Sequence, residues 1–170
     1  ASEIRDLIER REASCVEIIE ACLERAERYN GEVNALVTFN EGAVDEARRL
    51  DERIAAGDDP GVLAGIPVGI KDVTQTAGLR TTFGSPLFAD HVPETDALVV
   101  RRLKEAGAII LAKTNMPEFA TGGNTFNEIF GATRNPWNTE LSAGGSTGGG
   151  AAGLASGMIA LAEGTDLGGS

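Results

Sequence analysis

From residue 14 to residue 30, apolar side chains recur every three or four positions: Val16, Ile19, Leu23 and Ala26 stand among glutamates and arginines, the spacing of an amphipathic helix. Ser14 followed by Glu17 makes a capping box at its start, since each side chain can satisfy a backbone N–H that the first helical turn leaves unpaired. A second acidic helix is expected over residues 41–56, with NALVTF, residues 34–39, as a short strand between the two. The turn-forming stretch Gly57-Asp-Asp-Pro-Gly61 then closes this pattern.

Beyond Val62 the pattern changes in kind. VLAGIPVGIKD and IILAK are continuous apolar runs, the mark of strands covered on both faces, and they end at Lys71 and Lys113. Between them DALVVRRLKEAGA has helical spacing, with Thr95 as its expected N-cap. Helices that lead into buried strands predict an α/β fold. We expect a helical region over residues 1–61 and an α/β segment over residues 62–170, both within one domain. Thirteen of the 22 glycines lie in the last 50 residues. They are interleaved with NPWN, AAGLASGMIALA and GTDL rather than with Ser, Pro and charge, so they read as tight turns and close backbone approaches, not as a linker.

Charge narrows the partners. The formal net charge of −11 repels phosphate and argues against nucleic acid. Sixteen of the 26 acidic residues precede Gly61, against 8 of the 15 basic ones, as expected of solvated helix faces. No apolar run approaches the roughly 18 to 20 residues of a membrane span, and ASEIRDLIERRE is charged where a signal peptide is apolar, so a cytoplasmic location is expected. A single histidine, His91, excludes a multi-histidine zinc site, and two cysteines argue against a Cys/His one. Cys15 and Cys22 stand on one helix face, too far apart to bridge, and are expected to be reduced.

Two glycine motifs mislead. Gly144-Gly-Ser-Thr-Gly148 matches the G-x-S-x-G nucleophile elbow, but the acid and histidine partners should follow the serine, and His91 precedes it. The polar NTELSA also lacks the character of the strand that feeds an elbow. Gly148-Gly-Gly-Ala-Ala-Gly153 fits the dinucleotide fingerprint and fails for want of the same strand; a phosphate-binding P-loop fails because no Lys-Ser/Thr pair follows the glycines.

Three segments carry chemistry. Lys71 emerges from the apolar GIPVGI, where desolvation disfavours the ammonium and favours a neutral, basic amine; the alternative is a strand-end lysine that reaches solvent or pairs with Asp72. SAGGSTGG, residues 142–149, sets hydroxyls among backbone amides before a small-residue helix, or else is an ordinary Ser/Thr cap. GTDLGGS, residues 164–170, places consecutive amides beside a serine, as an oxyanion hole beside a nucleophile would, or else is a polar turn.

Together GIPVGIKDV, AGGSTGGG and GTDLGGS resemble the amidase signature family of serine hydrolases, and TTFGSP, KTNMPEFATGG and NPWN agree with its connecting segments. The resemblance runs from about Val62 to Ser170 and implies the amidase signature fold, a mixed central sheet covered by helices, here its N-terminal part. It implies a Ser-Ser-Lys triad: Ser170 as the acylating nucleophile, Ser146 as the bridging serine in a cis peptide bond and Lys71 as the general base. Leu167, Gly168 and Gly169, with the amide of Ser170, would form the oxyanion hole. No metal or organic cofactor is implied. Thr147 and Gly150 depart from the serines common in the family, without removing a triad hydroxyl.

The activity implied is hydrolysis of a carboxylic amide to acid and amine or ammonia through an acyl-enzyme, on a small-molecule substrate. KTNMPEFATGGNTFNEIFG leans toward a stand-alone amidase; the second reading is the glutaminase component of a tRNA-dependent amidotransferase, which releases ammonia from glutamine. A non-catalytic ligand-binding module is the reading from another class. The resemblance also implies further polypeptide of the same enzyme after Ser170, supplying more of the sheet and the acyl pocket, and leaves homo-oligomerisation open.

Overall fold

The computed structural model describes all 170 residues. The chain begins with three helices, α1 (Ser2–Glu9), α2 (Cys15–Val33) and α3 (Ala43–Ala56), with the strand β1 (Leu36–Phe39) between the last two. The strand β2 (Pro67–Lys71), the helix α4 (Leu98–Glu105) and the strand β3 (Ile109–Thr114) follow. Four short strands, β4 (Phe126–Asn127), β5 (Gly131–Ala132), β6 (Arg134–Asn135) and β7 (Asn138–Ser142), precede the helix α5 (Gly148–Ala155) and the strand β8 (Leu161–Glu163).

The capping box forms as expected: Ser14 N–H donates to Glu17 Oε2 at 2.8 Å, and Glu17 N–H donates to Ser14 Oγ at 3.1 Å. A second cap comes from α3, where the Asp51 carboxylate accepts the N–H groups of Cys15 at 2.8 Å and Val16 at 3.1 Å. The start of α2 is thus tied to the neighbouring helix. Thr95 is not the cap of α4, which begins after Ala97 with no side-chain cap. The adjacent Asp96 bonds elsewhere, accepting from Ala77 N–H and from the Lys104 ammonium, so local cap preference yields to a longer-range tie.

Four strands form a mixed sheet in the order β1-β3-β2-β8, with β1 antiparallel to β3 and the other pairs parallel. Ile109 and Leu111 face a core of 18 buried residues built mainly with α2 and α3, while Ile110 joins Ile66, Val68, Ile70 and Val100 on the other face. Both faces are covered, which is why these strands read as continuous apolar runs. β1 pairs with β3, and the first three helices contribute buried residues to the core that Ile109 and Leu111 of β3 also enter.

The pairing of β2 with β3 shifts register between Val68 and Gly69, so that Ile70 pairs with Lys113 and Lys71 with Thr114. Paired residues share a face. The two lysines therefore leave the same end of the sheet on opposite faces, Lys71 toward α5 and Lys113 away from it. NTELS does form a strand, β7, contrary to its polar reading, but it is an exposed ribbon paired antiparallel with β6 and takes no part in the main sheet.

Candidate active site

Lys71 ends β2 with its side chain fully buried. Its Nζ lies 2.7 Å from Ser146 Oγ, 2.9 Å from Thr147 Oγ1, and 3.1 and 3.2 Å from the carbonyl and hydroxyl oxygens of Thr165. All four are neutral oxygens. Burial pushes the amine below the ordinary lysine range, while the negative charges of Glu163 and Asp166 pull it part of the way back. Neither of the alternatives open for this lysine, exposure to solvent or pairing with Asp72, is what the fold builds.

Ser146 is buried just before α5, and its peptide bond to Gly145 is cis. What brings it to Lys71 is the absence of side chains on the first turn of the helix beside it. A Cβ on Gly149 would stand 2.3 Å from Asn115 N and 2.4 Å from Asn115 O, so the helix packs main chain against main chain at the end of β3. Gly149 N–H donates to Asn115 O at 3.1 Å, and Gly148 N–H donates to Thr125 Oγ1 at 3.1 Å. These contacts fix the turn that carries Ser146 and Thr147.

Ser170 lies across from it, with its Oγ 2.9 Å from Ser146 Oγ and its carbonyl accepting the Thr147 N–H at 3.3 Å. Lys71, Ser146 and Ser170 thus form an unbroken chain of hydrogen bonds from a buried amine to an exposed hydroxyl. Of the four amides expected at an oxyanion site, those of Gly169 and Ser170 converge on a single oxygen, at 2.6 and 2.8 Å. That oxygen is Oδ1 of Asp166, whose carboxyl these amides hold below the usual carboxylate range. Leu167 and Gly168 are exposed. The two amides converge on one oxygen, with a carboxylate of the chain itself as their acceptor.

The contacts of five further residues are not foreseen in the sequence. Thr147 and Thr165 complete the shell of Lys71; Asp166 receives the amides; Glu163 accepts the Lys71 backbone N–H at 3.2 Å. On the far face Lys113 is as deeply buried as Lys71, reaching Thr74 O, Thr76 Oγ1 and Thr81 Oγ1. Only the apolar run before Lys113 hinted at its burial. No group of three or more His, Cys, Asp or Glu side chains is arranged to hold a metal ion, and no helix is long and apolar enough to cross a membrane.

Residues 17–170 match the family model described as Amidase. Across its whole length the chain is 48% identical to the A subunit of the glutamyl-tRNA(Gln) amidotransferase of Carboxydothermus hydrogenoformans, covering 35% of that protein. Among solved structures it superposes on one described as an amidase with a TM-score of 0.84 and 38% identity, over 92% of this chain and 36% of the other. A bacterial aryl acylamidase of the amidase signature enzymes gives a TM-score of 0.88 and 31% identity, over 93% of this chain and 33% of the other. The chain spans about a third of the length of the curated relatives it matches.

Proposed function

The chain belongs to the amidase family, and from that premise we propose that it carries the catalytic centre of an amide hydrolase acting through an acyl-enzyme on Ser170. The observation that carries this reading is the hydrogen-bonded series Lys71 Nζ, Ser146 Oγ, Ser170 Oγ, with separations of 2.7 and 2.9 Å.

A serine hydroxyl is a weak nucleophile at its ordinary pKa, so its proton must leave as the new bond forms. Ser170 Oγ attacks the amide carbonyl carbon while its proton passes to Ser146 Oγ, and the Ser146 proton passes to the neutral amine of Lys71. The tetrahedral oxyanion is received by the amides of Gly169 and Ser170, which requires Asp166 to withdraw. The C–N bond then breaks as the same route returns a proton from Lys71 to the departing nitrogen. Water adds to the ester on Ser170 by a second passage of the relay, releasing the acid and restoring the serine. A neutral amine is needed at the start, which agrees with the burial of Lys71 among uncharged oxygens.

For the substrate, the high identity to the amidotransferase relatives supports the glutaminase reading more than the stand-alone amidase toward which KTNMPEFATGGNTFNEIFG leans. Glutamine then supplies the amide, ammonia is the product passed on, and the other subunits of an amidotransferase are the partners. The test measures ammonia released by the intact protein from glutamine and from a panel of aliphatic and aromatic amides, with and without the partner subunits. Glutaminase activity that depends on those subunits is expected. Hydrolysis of the panel without partners, and none of glutamine, would restore the stand-alone reading. Ser170→Ala and Lys71→Ala should each lower turnover by roughly 10²-fold or more, and a folded variant of either with near-normal turnover would refute the relay.

A further inference from the structure

Glu163 stands at the end of the edge strand β8, beside Ile70 of β2 and on the face of the sheet opposite the Lys71 side chain. Its two carboxylate oxygens are used separately. Oε2 accepts the backbone N–H of Lys71 at 3.2 Å, and Oε1 accepts the hydroxyl of Thr74 at 3.1 Å. Thr74 is itself held from the other side, because its carbonyl accepts from the buried Lys113 ammonium. Lys113 and Glu163 thus flank Ile70 across three adjacent strands, a cation and an anion joined through Thr74 under the backbone of the proposed base.

Resting on the relay proposed above, we infer that Glu163 is a positioning residue for Lys71: it grips the main chain at the end of β2, fixes the following loop through Thr74, and sets an anionic charge behind the amine. The charged groups around Lys71 are few. Glu163 lies on β8 and Asp166 in the loop after it; both favour the protonated amine, against the burial that disfavours it. On the far side Lys113 of β3 is faced by Asp72, Asp96 and Glu163. Of these, only Glu163 touches both the main chain of Lys71 and the loop that Lys113 anchors. Removing its charge while keeping its shape should make Lys71 easier to deprotonate, so the base becomes competent at lower pH.

The experiment is the pH dependence of kcat/KM for amide hydrolysis by the intact enzyme, in the wild type, Glu163→Gln and Glu163→Asp. Glutamine at this position can still accept the Lys71 N–H and meet the Thr74 hydroxyl, but carries no charge. The rate should rise with pH in all three, and in Glu163→Gln the rise should move to lower pH by roughly half a unit or more. In Glu163→Asp, which keeps the charge but draws it back by one methylene, the movement should be in the same direction and smaller. If Glu163→Gln does not fold, the aspartate variant alone decides. A merely structural role predicts lower rates or lower stability with the rise in its wild-type position, and that result overturns the inference. Lys71→Ala separates the two levels: if it keeps the wild-type rate and pH profile, the relay itself is wrong, whereas an inactive Lys71→Ala with an unmoved Glu163→Gln profile refutes only the role of Glu163.

Discussion

Lys113→Met tests whether a buried cation is titrating inside the fold. The Lys113 side chain is fully buried, and desolvation lowers its pKa from the ordinary lysine value of 10.5 to about 8, against the opposing pull of Asp72, Glu163 and Asp96. Between those two values the unfolded chain holds a proton that the folded chain has released, so raising the pH favours the folded state. Evaluating that linkage with one titrating group gives about 2 kcal/mol of added stability between pH 7 and pH 9.5. Methionine fills similar space and does not titrate. Burial also raises Cys15, to about 12, and Cys22, so these thiols favour unfolding in the same alkaline range. They are present in both proteins and cancel in the difference. Asp72 loses a nearby cation in the variant, which raises its already elevated carboxyl further and can only widen the gap in the same sense. The assay is urea unfolding of intact wild type and Lys113→Met at pH 7 and pH 9.5, with stabilities extrapolated to water. The wild-type advantage over the variant should grow by about 2 kcal/mol from the lower to the higher pH. An advantage that is the same at both would mean that Lys113 keeps an ordinary lysine pKa in the folded chain, which refutes the linkage.

Two further substitutions probe the supports of the site. Asp51→Ala removes the acceptor of two N–H groups at the start of α2, and should lower the unfolding free energy by about 1 to 2 kcal/mol; an unchanged urea midpoint would show that water caps the helix equally well. Gly149→Ala and Gly31→Ala, both in helices, should act in opposite directions. The first puts a methyl group 2.3 Å from backbone atoms of Asn115, which cannot move aside as a side chain would, and should cost about 3 kcal/mol or more together with amide turnover. The second meets nothing within 4 Å and should stabilise by about 0.5 to 1 kcal/mol, as read by thermal unfolding.

The pattern of apolar positions locates β2, β3 and α2, because α2 has a helical period and the two strands are short apolar runs bounded by glycine or followed by polar residues. The capping box was readable too, being confined to Ser14 and Glu17. Thr95 misled because Asp96, one residue later, is drawn to Ala77 and Lys104, partners that no local rule anticipates. Lys71, Ser146 and Ser170 could be singled out from their glycine and apolar surroundings, and the family resemblance supplied the roles proposed for them. What lay beyond reach were contacts made by neighbours in space: the Thr165 oxygens on Lys71, the Asp166 carboxylate on the Ser170 amide, and the link from Lys113 through Thr74 to Glu163. The strands β4 to β7 were missed because, at two to five residues and largely exposed, they carry no alternation to detect.

Four of the eight residues of α5 are Gly148, Gly149, Gly150 and Gly153. Each glycine costs a helix about 1 kcal/mol relative to alanine, so this segment has no capacity to form a helix by itself. It takes shape only against an assembled sheet, where its bare main chain fits Asn115 and Ala35. The turn bearing Ser146 therefore owes its order to tertiary contacts and not to local helix propensity. After denaturation, the contact between Lys71 and Ser146 can return only where the sheet has re-formed. A site built this way has no existence apart from the sheet that carries it.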